Sequence, residues 1–211
     1  LEGLDEAERA IDQAIRIDKD FARAYATRAE LAFYKKDWKN LVNYAKKAYE
    51  LAPLDAATVG HISYIVTISG MGCNQSDVIK TKYKIDKDVC ARLEWGAELA
   101  KIGNKLDAVS SLTFDNYGLG QYYWEVKDYE KLLAIFEAVP TPDFHWWNYW
   151  MGVANHYLGN TEKANEYFSV IKPLYGDKPI ETMLEAMLMW NNHIGFQEFI
   201  KYELINKYGY N

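Results

Sequence analysis

ARAYATRAELAFYKKDWKNLVNYAKKAYELAPLD, residues 22–55, holds the reading that decides the fold. Tyr25, Ala29 and Ala32 keep apolar and small side chains at helical spacing. Lys36-Asp37 breaks that stripe and Trp38 follows; a second stripe then runs through Leu41, Ala45, Ala48 and Leu51. Pro53, which cannot continue a helix, ends it. The spacing predicts a helix, a short turn, a second helix and a stop.

The register returns on both sides. Ile17-Asp18-Lys19-Asp20, Leu51-Ala52-Pro53-Leu54 and Ile85-Asp86-Lys87-Asp88 place Lys19, Pro53 and Lys87 at 34-residue intervals. In the second half the interval is 32 residues: Leu119-Gly120 and Tyr123 return as Met151-Gly152 and Asn155. The turn Lys127-Asp128-Tyr129 returns as Gly159-Asn160-Thr161, and Leu132 and Phe136 return as Ala164 and Phe168. A looser copy sets Leu188, Gly195, Ile200 and Leu204 further on. Units of this length that cannot bury their apolar face alone are stable when stacked. Small residues at Ala29, Ala97, Gly120 and Gly152 let a paired helix approach, and Tyr25, Phe136 and Phe168 fill the space between neighbours.

These residues resemble the tetratricopeptide repeat. Its signature sets an aromatic, Leu-Gly and Tyr on the first helix, with Ala-x3-Phe and a later Pro around the second. Leu119-Gly120-x2-Tyr123 and Ala164-x3-Phe168 are the best-matching fragments, while Arg28, Ala32 and Asn148 stand where the family has Leu, Tyr and Trp. Ala7-x3-Ile11-x2-Ala14 is similar to a second helix whose partner lies upstream, so the chain reads as a fragment. The resemblance implies an all-α fold, a right-handed superhelical array of antiparallel helix pairs over residues 1–211. An irregular segment, 103–110, would divide it into sub-arrays 1–102 and 111–211. Residues 90–102 read as a first helix without a full-length second one, and Gly70-Met71-Gly72 as an irregular turn.

Composition excludes several function classes. Of 211 residues, 49% are hydrophobic and 26% charged, an ordinary balance that argues against disorder. A net charge of −6 argues against nucleic acid as a partner. The one basic run, Lys80, Lys82, Lys84 and Lys87, reads as a solvated helix face. No apolar stretch is long enough to span a membrane. Cys73 and Cys90 lack metal or redox spacing and read as reduced thiols, which points to the cytoplasm. Asn74-Gln75-Ser76 matches a glycosylation triplet, a match common by chance.

No motif for catalysis, metal or cofactor stands out. His61, His145, His156 and His193 form no zinc-type pair, and neither a phosphate loop nor a nucleophile elbow is present. The reading is therefore a binding protein, not an enzyme, with no cofactor. The informative stretch is Phe144-His145-Trp146-Trp147-Asn148-Tyr149-Trp150, which points rings all round a helix.

In the family it resembles, the first helix of each repeat lines a concave groove. That implies a stripe of Trp146, Tyr149, Val153 and His156, joined by Trp150. The preceding repeat would add Phe114, Tyr117, Gln121 and Trp124, and the last Thr182, Glu185, Met189 and Asn192. Earlier helices would offer Arg23, Ala26, Glu30 and Phe33, then Tyr64, then Glu94 and Glu98. The alternative is that the late rings fill the tight centre of a curved array. A groove acidic early and aromatic late suits a basic or aromatic peptide. The Lys/Asn/Arg clamp that some family members close on acidic peptides is replaced by Ala26, Glu30, Glu94 and Glu98.

The function expected is a protein- or peptide-binding scaffold. A second reading is a ligand-sensing module of a larger signalling protein, because residues 144–164 are similar to repeat domains appended to bacterial cyclases and transcription regulators. A third is homo-oligomerisation through exposed aromatics.

Overall fold

The computed structural model describes residues 2–106, 114–138, 140 and 145–182. Among these the chain forms ten α-helices and no strand. They are α1 (Glu2–Ile17), α2 (Ala22–Tyr34), α3 (Trp38–Leu51), α4 (Ala56–Ile68), α5 (Asp77–Lys82), α6 (Val89–Leu106), α7 (Phe114–Glu125), α8 (Tyr129–Ala138), α9 (His145–Tyr157) and α10 (Thr161–Tyr175). None is long and apolar enough to cross a membrane. Leu188, Gly195, Ile200 and Leu204, and the last groove stripe beyond Thr182, lie outside the described residues.

Two compact units form: Leu1–Gly70 with Asp88–Leu119, and Met71–Lys87 with Gly120–Asn211. Residues 103–106, expected to be irregular, continue α6, and 107–110 lie outside the described residues.

The turn chemistry recurs in three hairpins: α2 with α3, α7 with α8, and α9 with α10. Lys36, Lys127 and Gly159 each adopt a left-handed backbone, at φ 58°, 61° and 81°. In each, that residue's N–H reaches the carbonyl three back (Phe33, Trp124, His156) and the next N–H the carbonyl five back (Ala32, Tyr123, Asn155), at 2.8–3.1 Å. This double bond satisfies the last carbonyls of the first helix. The following residue, Asp37, Asp128 or Asn160, opens the second helix. Asp37 and Asp128 accept from the N–H of Asn40 and Lys131 at 3.2 and 3.3 Å. Glycine at 159 takes the left-handed conformation freely, whereas lysine at 36 and 127 holds it at a cost of about 1 kcal/mol.

Packing follows the same clock. Seven residues before each turn sit Ala29, Gly120 and Gly152, and sixteen residues after those sit Ala45, Phe136 and Phe168. Ala29 and Ala45 are fully buried. A Cβ on Gly120 would lie 2.5 Å from the Phe136 ring, and one on Gly152 would overlap the Phe168 ring. The small residue is thus where the second helix comes close.

In the first unit, α1 packs on α2 through Leu4, Ile11 and Ile15 against Ala24 and Leu31. Arg28 pairs with Asp12 of α1 and lies 5.0 Å from the centre of the Tyr44 ring. That explains a cation where the resembled family has Leu. Helix α4 packs beside α2 and α3.

The partner of α4 corrects the sequence reading. Residues 90–102 belong to α6, which is no first helix lacking a mate; it packs along α4 as that helix's mate. A Cβ on Gly96 would meet the Thr67 backbone, and one on Gly70 the Leu93 backbone. Helix α6 also touches α3: Arg92 lies 4.9 Å from the Trp38 ring centre, and Lys46 5.9 Å from that of Trp95. The Arg92 guanidinium is buried and donates to the Ser69 carbonyl at 3.2 and 3.0 Å, closing the C-terminal end of α4. The 34-residue interval misled because residues 69–88 are inserted between the two members of this pair.

In the second unit, Glu125 is buried and accepts from the N–H groups of Gly72 (2.8 Å) and Asn74 (3.2 Å). The Asn74 amide donates to the Glu125 carbonyl at 2.7 Å. Burial pushes the Glu125 carboxyl up, against the two N–H groups that favour its charge. Asn74 thus links residues 72–74 to the C-terminal end of α7. Cys73 and Cys90 are both disulfide-bonded, which overturns the expectation of reduced thiols.

Candidate functional site

The aromatic helix α9 is core almost throughout. Trp147, Tyr149, Trp150 and Val153 are buried. Trp150 stacks against Phe136 at 6.3 Å and meets Trp124 edge-on at 5.7 Å. The Trp147 indole donates to the Phe136 carbonyl at 2.8 Å. A helix apolar on every side is one surrounded by protein. Trp124, Gln121, Tyr149 and Trp150 therefore line no accessible groove: at 0–7% exposure they cannot meet a partner as the helices stand. The alternative, rings filling a packed centre, fits their burial.

The remaining late positions are scattered. Trp146 is half-buried and His156 exposed. Tyr117 has its backbone in α7, and its side chain lies outside the described residues, as does Phe144. Glu94 and Glu98 are exposed, but on α6, the mate of α4, and so not on a first helix.

The first unit does bring predicted residues together. Arg23, Thr27, Glu30 and Tyr34 form the outward stripe of α2, and His61, Tyr64 and Ile68 that of α4. The sequence reading chose Ala26 and Phe33 in place of Thr27 and Tyr34. Both are 1% exposed, one residue out of register with the true face.

Glu30 joins the two stripes. Its Oε2 lies 2.9 Å from His61 Nε2, and its Oε1 accepts from the Tyr34 hydroxyl at 3.2 Å. The His61 bond, with help from Tyr34, holds the Glu30 carboxyl below the usual range against the opposing effect of burial. Burial, then the neighbouring Glu30 charge, pushes the Tyr34 phenol up, so it stays a donor. Tyr64 stands one turn beyond His61, and Gly118 of α7 lies close to its backbone, 3.6 Å from the Tyr64 Cα to an added Cβ. At the N-terminal end of the face Arg23 pairs with Asp55 at 3.3 Å, and Thr58 donates to Asp55 at 2.6 Å. From sequence, His61 reads only as a polar groove or surface residue, and Tyr34 is not singled out. The signal available was their spacing: His61 is three residues from Tyr64 and Tyr34 four from Glu30.

This arrangement predicts an acid-dependent stability. The folded Glu30 value is depressed, so its contribution is present above the ordinary 4.5 and is lost as pH falls through the folded value. Glu30→Gln is expected to lower Tm at neutral pH, and the gap from wild type should close in acid. A gap that stays constant across a thermal-melt pH series contradicts the assignment.

Lys36 is perturbed as well. Burial against the Phe33 and Trp38 rings, at 4.7 and 5.6 Å, pulls its ammonium down to about 7. It sits in the α2–α3 turn and not on the outward face, so it serves the hairpin. Compared with protein-family models, curated proteins and solved structures, the chain matches none.

Proposed function

We propose that the chain is a tetratricopeptide-like array of helix hairpins that binds a partner protein and does not catalyse a reaction. The shared turn, the small residue seven positions before it and the large or buried residue sixteen positions after that small one support the repeat reading. The face that binds is the outward side of α2 and α4. The observation that carries this is Glu30: a charged, half-buried carboxylate, fixed from two sides, at the junction of two helices. Structural ion pairs on a surface contribute little, whereas a preoriented charge between half-exposed tyrosines suits recognition.

The occupant in this reading is an extended segment of a partner, laid along the two stripes. Disulfide-bonded cysteines fit an oxidising compartment better than the cytoplasm expected from sequence. Selection of a random peptide library on the immobilised protein tests the proposal. Peptides should be enriched on wild type and lost on Thr27→Arg/Tyr64→Arg, a pair that blocks the face while leaving the melt within a few degrees. Equal enrichment on the blocked protein would refute it.

A further inference from the structure

We infer that the Glu30 junction takes the basic side chain, lysine or arginine, of the bound segment. The inference rests on the α2–α4 face being the binding face, and names what that face reads.

An ionised carboxylate offers about four lone-pair sites and no donor. Two of those on Glu30 are taken, by His61 Nε2 at 2.9 Å and the Tyr34 hydroxyl at 3.2 Å. The Tyr34 hydroxyl is a donor turned inward on the carboxylate, and His61 Nε2 fills a second site. What Glu30 leaves for a ligand is its remaining acceptor capacity and its negative charge. A carboxylate or a phosphate would meet that charge. An ammonium or guanidinium would find acceptors, the charge, and nearby phenol rings of the kind that attract cations.

The one positive charge on the same stripe does not compete. Arg23 lies seven residues before Glu30 on α2, about 10 Å along the axis at the helical rise, and is engaged with Asp55. The carboxylate is also half-buried, at 30% side-chain exposure, so a cation reaching it is screened less than on an open surface.

The test is a twelve-residue random display library selected in parallel on wild type, Glu30→Gln, Glu30→Lys and His61→Gln, each checked by thermal melt for an intact fold. Wild type should enrich lysine or arginine at one fixed position of the aligned peptides. Glu30→Gln should lose that preference on the order of tenfold, as for loss of a charge pair. Glu30→Lys should enrich Asp or Glu there instead. His61→Gln, which keeps a donor to Glu30, should retain the basic preference. Peptides enriched on wild type with no basic position, or equally on Glu30→Gln, would overturn this inference and leave the binding face standing. No enrichment above the Thr27→Arg/Tyr64→Arg protein would overturn both.

Discussion

Gly96→Ala is expected to destabilise the first unit by about 3 kcal/mol or more, the upper end of what overpacking costs. The added Cβ would lie 2.5 Å from the Thr67 nitrogen and 2.7 Å from the Thr67 Cα, and would overlap the Thr67 hydroxyl. Two of these atoms are backbone, so no side-chain rotation relieves the clash. Helices α4 and α6 must separate, and the Gly70–Leu93 approach, 2.5 Å from an added Cβ to the Leu93 nitrogen, opens with them. Alanine's better helix propensity returns about 1 kcal/mol and loses the comparison. Gly120→Ala makes a useful control. Its Cβ meets the edge of the Phe136 ring, which can shift, so its cost should be roughly 1 kcal/mol after the same propensity gain. Urea denaturation of both variants checks the contrast. Gly96→Ala unfolding at the wild-type midpoint would mean that α4 and α6 do not pack as described.

Trp150→Ala should cost 3–5 kcal/mol, the range for truncating a large buried aromatic. Trp150 is 2% exposed and its ring is held among Trp124, Phe136 and Tyr149, with centroids 5.7, 6.3 and 4.9 Å away. The surrounding rings can fill the vacated space only in part. Tyr149→Phe separates packing from polarity at the same place. The Tyr149 hydroxyl is buried with no hydrogen-bond partner among the described residues, so its removal should leave stability unchanged or raise it by about 1 kcal/mol. Thermal melts give both answers. A Trp150→Ala protein as stable as wild type, with altered binding instead, would return α9 to the groove and contradict its placement in the core.

What the sequence disclosed follows from where its signals are local. The α2–α3 hairpin, the Lys36-Asp37, Lys127-Asp128 and Gly159-Asn160 turns, and the small residues Gly120 and Gly152 all express themselves within one helical pair. They fell where spacing placed them. The pairing of α4 with α6 did not, because it spans residues 69–88 and depends on Gly96 meeting Thr67, a contact between distant positions. Ala97 drew attention in its place because it fits the repeat alignment; the closer approach is next to it, at Gly96.

The site was harder to read for two reasons. An aromatic helix looks the same in sequence whether its rings are surrounded by neighbours or by solvent, so Tyr149 and Trp150 were open to either reading. On α2 a one-residue error rotates the chosen stripe by about 100°, enough to select Ala26 and Phe33 in place of Thr27 and Tyr34. Glu30 and Tyr64 are partly exposed and lie on the outward stripes of α2 and α4. The bond between Glu30 and His61, 31 residues apart, is visible only once α2 and α4 are side by side.

The central claim is that the outward face of α2 and α4, and not the aromatic helix α9, receives the partner. Amide and side-chain NMR shifts recorded while a library-selected peptide is titrated into the full chain test it most directly. The account predicts the largest shifts at Thr27, Glu30, Tyr34, His61 and Tyr64, with the α9 tryptophan indoles unmoved. Shifts concentrated on Trp146, Trp147 and Trp150, with α2 and α4 silent, would contradict it.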